Sequence, residues 1–68
     1  MEFELNGHEY IELNNLLKLL GLTETGGEAN LRIDAGEVKV NGNTETRRRN
    51  KLRSGDVVEF DGEKITIV

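Results

Sequence analysis

Four leucines near the start of the chain recur at the spacing i, i+3, i+4 and i+7: Leu13, Leu16, Leu17 and Leu20. This spacing places them on one face of a helix, which we predict over about residues 12 to 20. Gly21 follows at the position where a left-handed C-terminal cap is common. The pattern therefore predicts an amphipathic helix whose leucine face packs on a core.

A second helix is predicted directly after the first. Thr25-Gly26-Gly27-Glu28 has the S/T-x-x-E pattern of a capping box, in which the Thr hydroxyl and the Glu carboxylate accept hydrogen bonds from free backbone amides. Ala29 and Ile33, four positions apart, form a small apolar face, and Gly36 repeats the C-terminal signal. We expect this helix to run to about Ala35 and to pack on the first.

Outside the helices, apolar and polar residues alternate, which is typical of strands. An alternating segment around Asn6-Gly7 predicts an N-terminal hairpin over residues 2–11, and two alternating runs around Asp61-Gly62 predict a C-terminal hairpin over residues 56–68. A further strand ends at the turn Asn41-Gly42. The whole chain is therefore expected to form one α+β domain of order ββααβ(β)ββ, with two helices on one face of a small, mostly antiparallel sheet.

The composition argues against metal binding, catalysis and insertion into a membrane. The chain has no cysteine and a single histidine, His8, so we expect neither a metal nor a cofactor. Its carboxylates fall on exposed strand and helix positions rather than in a desolvated cleft, so we expect no enzyme activity and no small-molecule substrate. Residues 16–22, the longest apolar cluster, are interrupted by Lys18 and Gly21 and are too few to span a bilayer. We predict a monomeric cytoplasmic protein without a membrane partner.

Charge is distributed very unevenly along the chain. The segment from Lys39 to Arg53 holds six basic residues and one acid, a net charge of +5, so the other 53 residues carry −9 of the total −4. If the segment is extended, Arg47, Arg49, Lys51 and Arg53 line one side, while Arg48 and Leu52 point elsewhere. The planar guanidinium fork favours phosphate, so an anionic ligand, above all nucleic acid, is preferred to a merely solvated loop.

Two motifs at a fixed separation then make the sequence recognisable. Gly36-Glu37-Val38-Lys39-Val40-Asn41-Gly42 matches G-x-V-x-V-N-G, and residues 52–58 match L-x-x-G-D-x-V. Together with the helical hairpin they resemble the S4 RNA-binding domain, and the likeness covers about residues 11 to 60. Thr25-Gly26-Gly27-Glu28-Ala29 with Arg47-Arg48 resembles, more narrowly, the small stand-alone bacterial S4-like proteins.

The resemblance implies an αL motif that binds structured RNA of the ribosomal or transfer RNA class without catalysis. Carried over by position, the RNA-binding surface would include the start of the second helix, the first motif strand and the segment from Arg47 to Lys51. With Arg53 added from the basic segment, the candidate RNA-binding residues are Gly26, Gly27, Lys39, Asn41, Arg47, Arg48, Arg49, Lys51 and Arg53. Many S4 domains begin the first helix with Arg-Leu-Asp and precede the second with Ser-Arg, whereas this chain has Ile11-Glu12-Leu13 and Thr25-Gly26. Both departures remove positive charge from the helices, so binding is expected to rely on the arginine segment.

Two alternatives remain open from the sequence. The basic segment would also suit a protein-interaction module that docks an acidic partner. The strand-rich start, the LLxxLGL helix and the GDVVEF segment also resemble ubiquitin-like sulfur carriers, which act through a C-terminal Gly-Gly. The sequence here ends Ile65-Thr66-Ile67-Val68, without that dipeptide, so carrier chemistry is not expected.

Overall fold

The computed structural model describes all 68 residues. Two helices and seven strands follow in this order: β1 (Glu2–Phe3), β2 (Ile11–Glu12), α1 (Leu13–Leu19), α2 (Gly26–Asp34), β3 (Val38–Val40), β4 (Asn43–Thr44), β5 (Lys51–Leu52), β6 (Val57–Phe60) and β7 (Glu63–Ile67). Neither helix is long and apolar enough to cross a membrane. The predicted α+β class is confirmed, and both helices lie where the leucine spacing and the capping box place them.

Local signals set the ends of the helices. Gly21 and Gly36 both have positive φ, at 72° and 77°, and follow α1 and α2 as predicted. At the start of α2 the Thr25 hydroxyl accepts a hydrogen bond from the Glu28 amide at 3.0 Å. The returning bond differs from the expected capping box, because the Glu28 carboxylate accepts from the Glu24 amide, one residue earlier, at 2.7 Å.

The main sheet has five strands in the order β1-β7-β6-β3-β4. Strands β6 and β7 form the predicted C-terminal hairpin, whose turn residues Asp61 and Gly62 both have positive φ. The Asn41-Gly42 turn likewise joins β3 to β4. Neighbouring strands run antiparallel except for β1, which pairs with β7 in parallel.

The predicted N-terminal hairpin over residues 2–11 is wrong, although its turn exists. Asn6 and Gly7 have φ of 53° and 88°, and the His8 amide donates to the Leu5 carbonyl at 3.1 Å. The flanking strands nevertheless separate, since β1 pairs with β7 while β2 pairs with β5 in a second, two-stranded sheet. The sequence alternation identified the strands correctly but carried no information about their distant partners.

One core joins the helices to both sheets. It contains twelve buried residues: Leu5, Leu13, Leu16, Leu17, Ala29, Ile33, Val38, Leu52, Val58, Phe60, Ile65 and Ile67. The leucine face of α1 and the Ala29/Ile33 face of α2 thus cover the inner face of the main sheet. Leu52 of β5 belongs to the same core, so the second sheet is packed against the first rather than standing apart.

Candidate nucleic-acid interface

Residues 45–53, called the basic loop below, are fastened to the start of α1. Glu12 precedes α1 but gives it no side-chain cap. The loop backbone takes that role, because the Leu13 amide donates to the Asn50 carbonyl at 2.9 Å and the Asn14 amide donates to the Arg48 carbonyl at 3.0 Å. The charged side chains of the loop therefore project from a backbone that is held by a helix end.

Arg47 is held by a neighbouring acid. Its guanidinium makes two hydrogen bonds with the Glu45 carboxylate, at 2.9 and 3.0 Å, and its amide donates to the same carboxylate. The side-chain bond lowers the pKa of Glu45 and raises the pKa of Arg47. Glu45 is only 14% exposed and Arg47 is 75% exposed, so the arginine remains accessible although its charge is paired.

The Arg48 side chain points away from the side of the loop on which the other basic side chains lie. Its guanidinium pairs with the carboxylate of Asp34 at the end of α2, with Nε 3.0 Å from Oδ1. Hydrogen bonding in this pair lowers the pKa of Asp34 and raises the pKa of Arg48. Arg48 thus ties the basic loop to α2 with its side chain and to α1 with its carbonyl oxygen.

The remaining three cations have no carboxylate partner. Arg49, Lys51 and Arg53 are exposed and form no ion pair. They line, with Arg47 and Asn50, a shallow groove of about 340 Å³, which we call the basic groove. The prediction that Arg48 and Leu52 point elsewhere is confirmed, because Arg48 pairs with Asp34 and Leu52 is fully buried.

Tyr10 is a residue that the sequence reasoning missed. Its ring centre lies 5.0 Å from Nζ of Lys51 and 5.7 Å from Cζ of Arg53, and the residue is 37% exposed. It precedes Ile11, which pairs with Leu52 across the second sheet. The pairing of β2 with β5 therefore brings an aromatic ring to the basic loop. No local sequence pattern predicts that pairing.

Asn41 has both of its side-chain polar atoms engaged. Its amide nitrogen donates to the Asp56 carboxylate at 3.0 Å, and its side-chain oxygen accepts from the Val57 amide at 2.9 Å. The other oxygen of Asp56 accepts from the Arg53 amide at 2.8 Å. The V-N-G and G-D motifs are thus joined directly, and this junction positions Arg53 at the end of the basic loop.

The structure does not bring the other predicted site residues to the basic groove. Lys39 lies opposite Glu59 of β6 and alternates with buried Val38, so it occupies the outer face of the main sheet. Gly26 and Gly27 form the first turn of α2, whereas the basic loop contacts the last residue of that helix. The nine residues of α2 span about 13 Å. The predicted site residues therefore lie in separate regions, which include the basic groove, the outer face of the main sheet and the first turn of α2.

Comparison with known proteins identifies the family of this chain. The chain belongs to the S4 domain family, whose model matches residues 3–68. This membership confirms the S4 resemblance rather than the likeness to the sulfur carriers.

Individual relatives are similar in sequence over most of this chain. The chain is 44% identical over 66 residues to YbcJ of Escherichia coli (strain K12), covering 97% of this chain and 94% of YbcJ. The solution structure of YbcJ, described as revealing an αL motif involved in RNA binding, matches with a TM-score of 0.75 at 43% identity, covering 98% of this chain and 85% of that one. "Probable ribosome maturation protein RlbA" of Bacillus subtilis (strain 168) is 43% identical over 54 residues, which are 79% of this chain and 76% of RlbA.

Proposed function

We propose that this protein binds structured RNA of the ribosomal or transfer RNA class, without catalysing a reaction, chiefly through Arg49, Lys51 and Arg53. The observation that carries the proposal is that these three cations share an exposed groove and have no carboxylate partner. Phosphate contacts by such side chains supply most of the affinity of RNA-binding surfaces. The RNA-binding description of the YbcJ motif and the ribosome maturation name of RlbA support the choice of ligand.

The other predicted residues take secondary places in the proposal. Arg47 and Arg48 join the interface by exchanging a carboxylate for a phosphate, which makes their contribution smaller than that of an unpaired cation. The amides of Gly26 and Gly27 offer a second phosphate site at the positive end of α2. Lys39 and Asn41 would contact RNA only where it extends beyond the basic groove. The proposal places the protein in the cytoplasm. It would act as a monomer, because both edge strands of its main sheet are only two residues long and offer little surface for pairing with another sheet.

The proposal is tested by salt titration of binding to purified E. coli ribosomal RNA. Replacing Arg49 by Ala removes one phosphate contact, so the slope of log K against log salt should flatten by about 0.7 to 0.9. Lys64→Ala is the matched control, because Lys64 also carries one exposed positive charge but lies on the outer sheet face opposite Glu59. We expect Lys64→Ala to leave the slope nearly unchanged.

Competition with an acidic polypeptide distinguishes an RNA ligand from an acidic protein partner. If RNA is the ligand, a polypeptide of the same charge density should displace it poorly, because a flexible chain of carboxylates lacks the spacing of a folded phosphate backbone. If the Arg49→Ala and Lys64→Ala variants had equal slopes of log K against log salt, the basic groove would not be part of the RNA interface. Preference for the acidic polypeptide over RNA would contradict the proposed function as a whole.

A further inference from the structure

Tyr10 is the aromatic residue best placed to meet a ligand in the basic groove. The two phenylalanines are less accessible, since Phe3 is half-buried and Phe60 is 1% exposed. Tyr10 is 37% exposed, and its ring centre lies within 6 Å of the charged groups of Lys51 and Arg53, neither of which has a carboxylate partner. This half-exposed ring therefore places an aromatic face next to two cations that can each contact a phosphate.

The existing contacts of the ring are weak enough to be exchanged. A cation over an exposed aromatic ring contributes about two- to fivefold to an equilibrium constant. Stacking of a nucleic-acid base on an aromatic side chain contributes from about fivefold to more than a hundredfold. A base that displaces a cation from the ring therefore gains more than the ring loses, and the displaced cation becomes free to contact a phosphate.

We infer that Tyr10 stacks on an unpaired base of the bound RNA while Lys51 and Arg53 contact phosphates next to that base. The inference rests on the proposed function and specifies its ligand further. Bases inside an RNA duplex are stacked on each other and present only their edges, so a ring at the surface cannot reach their faces. The preferred RNA therefore contains a loop, a bulge or a frayed end at the point where it meets Tyr10.

Fluorescence reports this contact directly. The chain has one tyrosine and no tryptophan, so its intrinsic emission comes from Tyr10 alone. Stacking on a base should quench that emission, whereas phosphate contacts by Lys51 and Arg53 alone should not. Titration with E. coli ribosomal RNA, corrected for absorbance with free N-acetyltyrosinamide, should show quenching that saturates with binding. A blunt RNA duplex should bind through the cations and leave the emission nearly unchanged.

Variants of Tyr10 distinguish stacking on a base from a role in which the ring only positions Lys51 and Arg53. Tyr10→Leu should weaken binding to ribosomal RNA about tenfold and leave binding to the blunt duplex unchanged. Tyr10→Phe keeps the ring and should bind both RNAs as the parent protein does. Leu31→Ala is the matched control, because Leu31 is an exposed apolar residue of α2 outside the basic groove. Circular dichroism of each variant verifies that the fold is retained.

The two proposals fail in different ways. If the parent protein binds neither ribosomal nor transfer RNA, the proposed function is wrong, and so is the stacking contact. If the parent protein binds with the expected salt dependence but its emission is not quenched, only the stacking contact is overturned. Equal weakening of both RNAs by Tyr10→Leu would also overturn it, because the ring would then act by positioning Lys51 and Arg53.

Discussion

At the scale of single residues, carboxylates decide which arginines are available. Arg47 and Arg48 each give two guanidinium hydrogen bonds to an acid, whereas Arg49 and Arg53 have no ion pair. The three consecutive arginines are equivalent in the sequence but differ in their surroundings. A phosphate competes with Glu45 or Asp34 for two of them, whereas no carboxylate competes for Arg49.

The Glu45 ion pair predicts how stability responds to acid. Because Arg47 lowers the pKa of Glu45 in the folded protein, the stabilisation is complete above the pKa of the unfolded chain, about 4.3, and is lost as the pH falls through the lower folded value. Glu45→Gln should therefore be less stable than the parent protein above about pH 5, and the difference in unfolding free energy should shrink below about pH 4.

Urea unfolding at a series of pH values measures this difference. Glu63→Gln is the matched control, since Glu63 is exposed and forms no ion pair. Its stability difference from the parent protein should stay small throughout. A Glu45→Gln difference that persisted undiminished at pH 2 would show that the carboxylate charge is not responsible.

At the scale of elements, Leu52 anchors the basic loop. It is fully buried in the common core, and it belongs to β5, which pairs with β2. Leu52→Ala should destabilise the protein by about 2 to 5 kcal/mol, because it removes a buried side chain and leaves a cavity. Chemical denaturation measures the loss, and Leu31→Ala, the same change at a 69% exposed position, should cost far less. Similar losses would mean that the core closes over the missing side chain.

Elements of this fold differ in how far the sequence predicts them. Helices and tight turns depend on residues within a few positions, so the leucine spacing of α1, the Thr25 cap and the Asn41-Gly42 turn were sufficient. Strand partners depend on residues far apart, and the N-terminal hairpin was wrong for that reason.

The same limit applies to the site. Alternation predicted which side of the loop Arg49 and Lys51 share, whereas the Arg48 pair with Asp34 and the approach of Tyr10 depend on tertiary packing. The hydrogen bond from Asn41 to Asp56 could not be predicted either, because the two residues are 15 positions apart in the sequence.

At the scale of the whole molecule, acid outside the basic segment should limit indiscriminate binding. Glu59→Gln with Glu63→Gln removes two negative charges on β6 and β7 outside the basic groove. This change should speed association with any RNA at low salt, including a blunt duplex, and the effect should fade as salt screens it. Stopped-flow association rates at two salt concentrations measure it.

The charge-retaining variant Glu59→Asp with Glu63→Asp is the matched control and should associate like the parent protein. An acceleration that survived at high salt would point to a direct contact instead of a long-range field, because screening weakens only the latter.

The parallel pairing of β1 with β7 has a consequence for synthesis of the chain. The Met1 amino group donates a hydrogen bond to the Lys64 carbonyl, 63 positions away, so β1 can pair only when β7 is present. While a ribosome is still making the chain, α1 and α2 can form from local contacts, but β1 has no partner. Closure of the main sheet is therefore a late step, which must await the emergence of β7 from the exit tunnel.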